Sequence, residues 1–475
     1  MAAEEDQLLL DDLEDDEELA NLEEELGLND TAPDVGDFPM VVMGAGLGGG
    51  GGDAASSSSY SSFGRGTPDD QNELAIVERY KEQFSRDTIT DTSLKAIFVV
   101  KFDINEGNVI EWQYPEDVDL TGIEFKAMAS GSHAINHDII YFKAGDNFGL
   151  ACYSRRLMKG SIEHRGAIMR SVGVLMTSFH TLHEHKEFLA DQVDVINHSD
   201  EGFDSLFEYY QQSQSAPSSI PQLIHPHSLQ EEDEEGDSSS KNILPKAPLN
   251  PELPAKAQLN IPNGFFTEFM RSFSIQIFTL WKAILLRKRI LYHSIPPVKQ
   301  SCRFVYSSTL LSIITKVKHF RFDPNPLFYI NINDIKTIQE QENFIACTTE
   351  SIFQKKFHLY DVYVKKHSIH LPTKEAELPL AVTDGDKLRF RYLCDAILGP
   401  TGSHSEDHLI RFFLGMNNKL FKGLYAASMR NETIPIADLP SRFGLHPSDV
   451  HFLRALIEAL DLHVFISENV GWCCC

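Results

Sequence analysis

The side chains best suited to chemistry sit in short runs. "HTLHEHKE" carries His180, His183 and His185. A helix offers two imidazoles to one zinc ion when they stand four positions apart on one face, as in HExxH. The offsets here are three and two, so an exposed helix flank accounts for the run better than a metal site does. "HPH" (225–227) lies in a Pro- and Ser-rich stretch and is an equally weak ligand set. "GAGLGG" (44–49) matches the dinucleotide pattern GxGxxG, which needs a helix directly after it to meet the pyrophosphate. More glycine and serine follow instead, which reads as linker. The sequence has neither the GxxxxGK[ST] phosphate loop nor the GxSxG nucleophile elbow. Cys152, Cys302, Cys347 and Cys394 form no CxxC pair, and the last three stand in apolar or strand-like surroundings where an inert thiol is expected. Cys473, Cys474 and Cys475 end the chain without a CaaX box; lipid attachment, metal capture and a plain exposed end all stay open. No metal, cofactor or catalytic group is called for.

A different chemistry is suggested by Arg287, Lys288 and Arg289, which interrupt the apolar stretch "TLWKAILLRKRILYHS" (279–294). On one reading Arg287 and Lys288 close a helix, facing the negative end of its dipole for ~0.3–1 kcal/mol each, and Arg289 starts a strand. On the other they meet an acidic partner or a membrane surface.

The elements that would position these residues follow from periodicity. "SLKAIFVVKFD" (93–103), "NVIEWQYP" (108–115), "DIIYFKAG" and "FGLACYSRR" read as strands in two hairpins. "GAIMRSVGVLMTS" is an ambiguous further strand, and 179–198 is a helix packing on the group. Residues 201–262, rich in Pro, Ser and acid, read as a linker. From Asn263, a capping residue, one helix of ~24 residues with a broad Phe-rich face leads to the strand "ILYHS". "SSTLLSIITKVKHF" reads as a helix; "PLFYINI", "NFIACTT" and "LYDVYVKK" read as strands. After residue 380 the pattern is helical, with Ser405 at one helix start and a short terminal strand "LHVFIS".

The formal charge of −27 is concentrated. Residues 1–40 hold 16 acids and no Lys or Arg, and "EEDEEGD" (231–237) adds six; without them the remainder carries only −5. Residues 1–72 therefore read as a disordered acidic and Gly/Ser-rich tail, with a short helix expected in "NELAIVERYKEQF" just beyond it. Such a balance disfavours nucleic acid as partner. An acidic N-terminus and no apolar run of about 18 residues suggest neither a leader nor a membrane span, and a reducing, cytoplasmic compartment is expected.

"GNVIEWQYPEDVDLTGIEFKAMASGSH" (107–133), "LWKAILLRKRILYHS" (280–294), "IACTTESIF" with "LYDVYV" (345–365) and "FFLGMNNKLF" (412–421) occur in one order and resemble the LCHN-type DENN-domain proteins, as does the cysteine-rich end. The resemblance implies a tripartite α/β module: an upstream longin-like part (73–200), a central part (263–380) and a helical downstream part (381–475). It implies a guanine-nucleotide exchange factor for a Rab-type small GTPase in membrane traffic, peripheral to membranes, with no covalent chemistry of its own. The alternatives are a DENN-like adaptor that binds a GTPase without exchange, and an unrelated enzyme. Two loops beside strand ends are candidate GTPase contacts: Met128, Ser130, Gly131, Ser132 and His133, and Thr348, Thr349 and Glu350. The same residues also suit plain turn and cap chemistry.

Overall fold

Period-two alternation writes the upstream strands. In β1 (Leu94–Asp103), Ile97 and Val99 face one side and Ala96, Phe98 and Val100 the other. The computed structural model describes residues 94–158, 167–199, 202–215, 262, 264–314, 322–398 and 406–468. All fall in the compact unit Gly66–Cys475. The tail, the 72–84 stretch, "GAGLGG", "HPH", Asn263, Ser405 and the terminal cysteines lie outside the described residues.

β1 pairs antiparallel with β2 (Gly107–Tyr114) and with β5 (Ala167–Met176); β5 pairs with β4 (Asn147–Leu157), and β4 with β3 (His137–Ala144). The ambiguous apolar run is thus a central strand. Two glycines make room inside this half-sheet. A Cβ on Gly149 would fall on the Phe142 ring, and one on Gly173 on the Phe98 ring, each ring lying across from its paired glycine.

The second half-sheet is mostly parallel. β6 (Arg289–His293) lies between β8 (Phe344–Thr348) and β9 (Val362–Lys365), with β7 (Pro326–Tyr329) beyond β8 and β10 (Ser368–His370) at the edge. One register pair, Phe142↔Phe328, joins β3 to β7 and makes a single ten-stranded sheet.

Helices cover one face continuously. α1 (Lys186–Ser199) packs on β4 and β5. α2 (Phe203–Ser215) packs on β1 and β2 through buried Leu206 and Tyr209. This corrects the reading of 201–262 as linker, since that stretch begins with a docked helix. The expected long helix is broken: α3 (Phe265–Phe273) and α4 (Ile277–Leu285) flank one tight turn at Ser274, whose φ is 49°. Gly264 starts α3, and the carboxylate of Glu406 accepts from the Phe266 and Thr267 amides. α5 (Lys299–Leu310) begins well before the expected segment and crosses the join, touching β3, β7 and β8. Asp138 on β3 caps it, accepting from the Val298 and Lys299 amides at 2.8 and 3.1 Å. A short α6 (Ile335–Gln339) stands between β7 and β8 in sequence.

The basic run does not sit in the last helical turn. α4 ends at Leu285, and Arg287 adopts φ 54° in a left-handed terminator, with Lys288 N donating to Ala283 O and Arg287 N to Ile284 O. Arg289 does start β6 and is held by Asp361.

On the opposite face the cover is divided. Leu120, Ile123, Ala127 and Met128 cap the upstream strands, while Phe353 and Leu359 cap the second half-sheet. Downstream, α7 (Lys374–Leu380) packs on α4 and on α11 (Val450–Ala459). α8 (Asp384–Leu398) and α11 meet α4 around a buried charge quartet. Lys282 bonds Asp386, and Arg389 bonds both Asp386 and Asp449. Burial alone would raise the Asp449 pKa, but Arg389, the Thr383 hydroxyl and Lys282 together outweigh this and hold the carboxyl below its ordinary range. On the long α9 (Glu406–Ser428), Asn417 accepts from the Trp281 indole and donates to Leu311 O and Ile313 O. α10 (Leu439–Phe443) lies against α9, and β12 (Phe465–Ser467) pairs with β11 (Thr433–Pro435).

Candidate functional site at the junction of the half-sheets

The two candidate loops meet where the sheet is joined. Thr349 Oγ1 donates to Ser130 O at 3.0 Å across 219 positions of sequence. Ser130 N donates to the Tyr329 hydroxyl at 2.9 Å, and that hydroxyl lies 3.4 Å from Thr349 Oγ1. Beside them Asn331 Nδ2 donates to Phe125 O at 3.1 Å, and Lys126 pairs with Asp334 at 2.7 Å. Gly131, at φ 83°, lets the loop turn against Pro296.

Exposure sorts the expected contact residues. Ser130 and His133 are exposed; Gly131, Thr349 and Glu350 are half-buried. Met128, Ser132 and Thr348 are buried, so they position the loops and present no side chain to a partner. Ser132 O accepts from Tyr153, and Thr348 Oγ1 accepts from Glu350 N. Burial raises the pKa of Glu350, aided by nearby Asp334 and opposed by a hydrogen bond from the Ile332 backbone.

Residue types alone did not single out Tyr329, Asn331 or the apolar side chains around them. Phe125, Ile295, Ile332 and Ile352 are 45%, 79%, 48% and 41% exposed. Each is tied to the junction. Phe125 O takes the Asn331 bond, Ile295 adjoins Pro296, and Ile332 bonds Glu350, two positions before Ile352. Next to them the divided cover leaves a cleft of about 980 Å³ between Val118–Phe125 and Ile330–Gln341, floored by Leu175 and Leu327.

The three histidines do not form an exposed flank. His185 Nδ1 lies 2.7 Å from the Tyr209 hydroxyl of α2, and burial lowers its pKa to about 4. His180 is lowered to about 3, again mainly by burial. Among the described residues, no group of three or more His, Cys, Asp or Glu could hold a metal ion. No described helix is long and apolar enough to cross a membrane.

The structure is a mixed α/β scaffold in which the two expected loops meet at a half-apolar junction. The chain is a member of the DENN family: DENN domain-containing protein 11 matches residues 97–376, a span that includes both half-sheets and the junction. The DENN domain-containing protein 11 of Xenopus laevis is 35% identical over 404 residues, covering 81% of this chain and 88% of the relative. That of Danio rerio is 34% identical over 388 residues, covering 78% and 76%, and that of Mus musculus 32% over 390, covering 80% and 83%. DENN proteins are in general regulators of Rab-type GTPases.

Proposed function

We propose that this chain is a guanine-nucleotide exchange factor for a Rab-type small GTPase, working peripherally at membranes, and that the GTPase docks on the junction. The meeting of Ser130 with Thr349, with exposed Phe125, Ile295, Ile332 and Ile352 all tied to the same junction, carries this reading. Exposed apolar side chains around polar, half-buried groups are what a protein interface needs at its centre. Exchange demands differential binding. A nucleotide held at picomolar affinity is bound by roughly 16 kcal/mol, and its escape is speeded by a surface that prefers the nucleotide-poor, open switch. Groups that grip through shape and hydrogen bonds suffice, and no bond is made or broken.

Fluorescent-GDP release from a panel of purified Rab proteins tests this. Catalytic amounts of the chain should accelerate release from at least one. Ile332→Asp and Ile352→Asp should each slow that release by about tenfold or more, as expected of interface centres, without lowering the melting temperature. Binding that is indifferent to nucleotide state, with no acceleration, would mean an adaptor and would sink the proposal.

A further inference from the structure

We infer that the face carrying Lys355, Lys356 and Phe357 is a docking surface for an anionic lipid bilayer. The inference rests on the membrane-peripheral part of the proposed function. Three chain segments meet at the amino ends of the parallel strands. Arg289 donates to His358 O at 2.9 Å, which ties the basic run 287–289 to the segment 351–359. Gln339 lies 3.3 Å from His358 and brings in α6. Arg289 is spent on Asp361, in a bidentate pair. Beyond that pair, the segments 287–289, 335–342 and 351–359 carry five cations, Arg287, Lys288, Lys336, Lys355 and Lys356, against two acids, Glu340 and Glu342, and Arg287 only grazes Glu342 at 3.9 Å between exposed side chains.

A chain of net charge −27 meets an anionic surface favourably only where its own charge is locally positive. The same segment also exposes an apolar group. Phe353 and Leu359 turn inward and close it onto the core, while Phe357 points outward at 62% exposure. Lysines flanking an outward aromatic suit an interface where ammonium groups meet headgroups and the ring enters the acyl boundary. An acidic protein segment would use the charges and leave Phe357 without a role.

Cosedimentation of the full chain with phosphatidylcholine vesicles, with and without phosphatidylserine as minority lipid, tests this without any GTPase present. Binding should require phosphatidylserine and weaken with salt. At about fivefold per cation, Lys355→Glu with Lys356→Glu should lower the partition coefficient by more than about tenfold. Phe357→Ser should lower it several-fold, and Lys422→Glu on α9 should leave it nearly unchanged. In Phe357→Trp, the added indole emission should shift to the blue on these vesicles. Wild-type binding that ignores phosphatidylserine, fails altogether or survives the double reversal would overturn the inference, as would an unshifted emission from the F357W variant. A wild-type chain that speeds GDP release but binds no vesicle would sink this surface alone, and one that binds these vesicles but speeds no GDP release would sink the exchange reading alone.

Discussion

His185 shows how one side chain can depend on an element not evident beside it. Its imidazole is held neutral under α2, bonded to the Tyr209 hydroxyl, while Phe188 stacks on the Tyr209 ring at 3.7 Å. Reading the run as an exposed flank and reading 201–262 as linker are therefore one error, because the lid over His185 is the helix that was missed. The sign of the pH effect follows. With a folded pKa of about 4 against about 6.5 unfolded, the native state binds fewer protons between those values, so stability falls as pH drops through that window. The full loss from this residue is about 3 kcal/mol. Melting temperature between pH 7 and 4 should decline, and less steeply in His185→Gln, whose amide can still bond Tyr209. An unchanged slope would refute the assignment. Gly173 makes a second prediction at this scale. Ala there meets the Phe98 ring, so Gly173→Ala should cost about 1–3 kcal/mol in denaturant unfolding.

Among elements, the strands were the most legible, because alternation and β-branched or aromatic content are local properties. The helix starts were not, because distant residues supply two of the caps. Asp138 caps α5 from 160 positions away, and Glu406 caps α3 from 140 away. Neither leaves a mark in the adjacent sequence, so Asn263 and the "SSTLL" run drew attention instead. The break at Ser274 was hidden for a related reason: apolar residues recur on both sides of it, and periodicity does not register one turn with a left-handed residue. α2 did carry a signal, since Phe203, Leu206 and Tyr209 recur every three positions, but the Pro- and Ser-rich composition beyond it dominated the reading. If Glu406 is a cap, Glu406→Ala should cost about 1–2 kcal/mol. It should also speed hydrogen exchange at the Phe266 and Thr267 amides ahead of the rest of α3. Uniform exchange would argue for a different role.

At the scale of the whole molecule, one helical layer runs over both half-sheets, and α5 bridges their join. Calorimetry should therefore give one cooperative transition for the described core, and Gly173→Ala in the upstream strands should lower the melting of the whole. Two separable transitions would contradict this. The charge quartet binds the downstream helices into the same unit. Lys282→Met leaves buried carboxylates under-compensated and should cost about 3–5 kcal/mol. The α/β class was legible at this scale; the candidate loops were found through the family resemblance and their strand-end positions. Their convergence was not legible, since no local pattern reports that residues 130 and 349 touch.

Apart from the Lys126–Asp334 ion pair, the hydrogen bonds that close the junction are lopsided. Tyr329, Asn331 and Thr349 contribute side chains, whereas the other side answers with the main chain of Phe125 and Ser130. A peptide group is the same whatever residue bears it. Over evolutionary time, then, positions 125 and 130 are free to drift toward new partners without unfastening the molecule, while 329, 331 and 349 should change rarely and together.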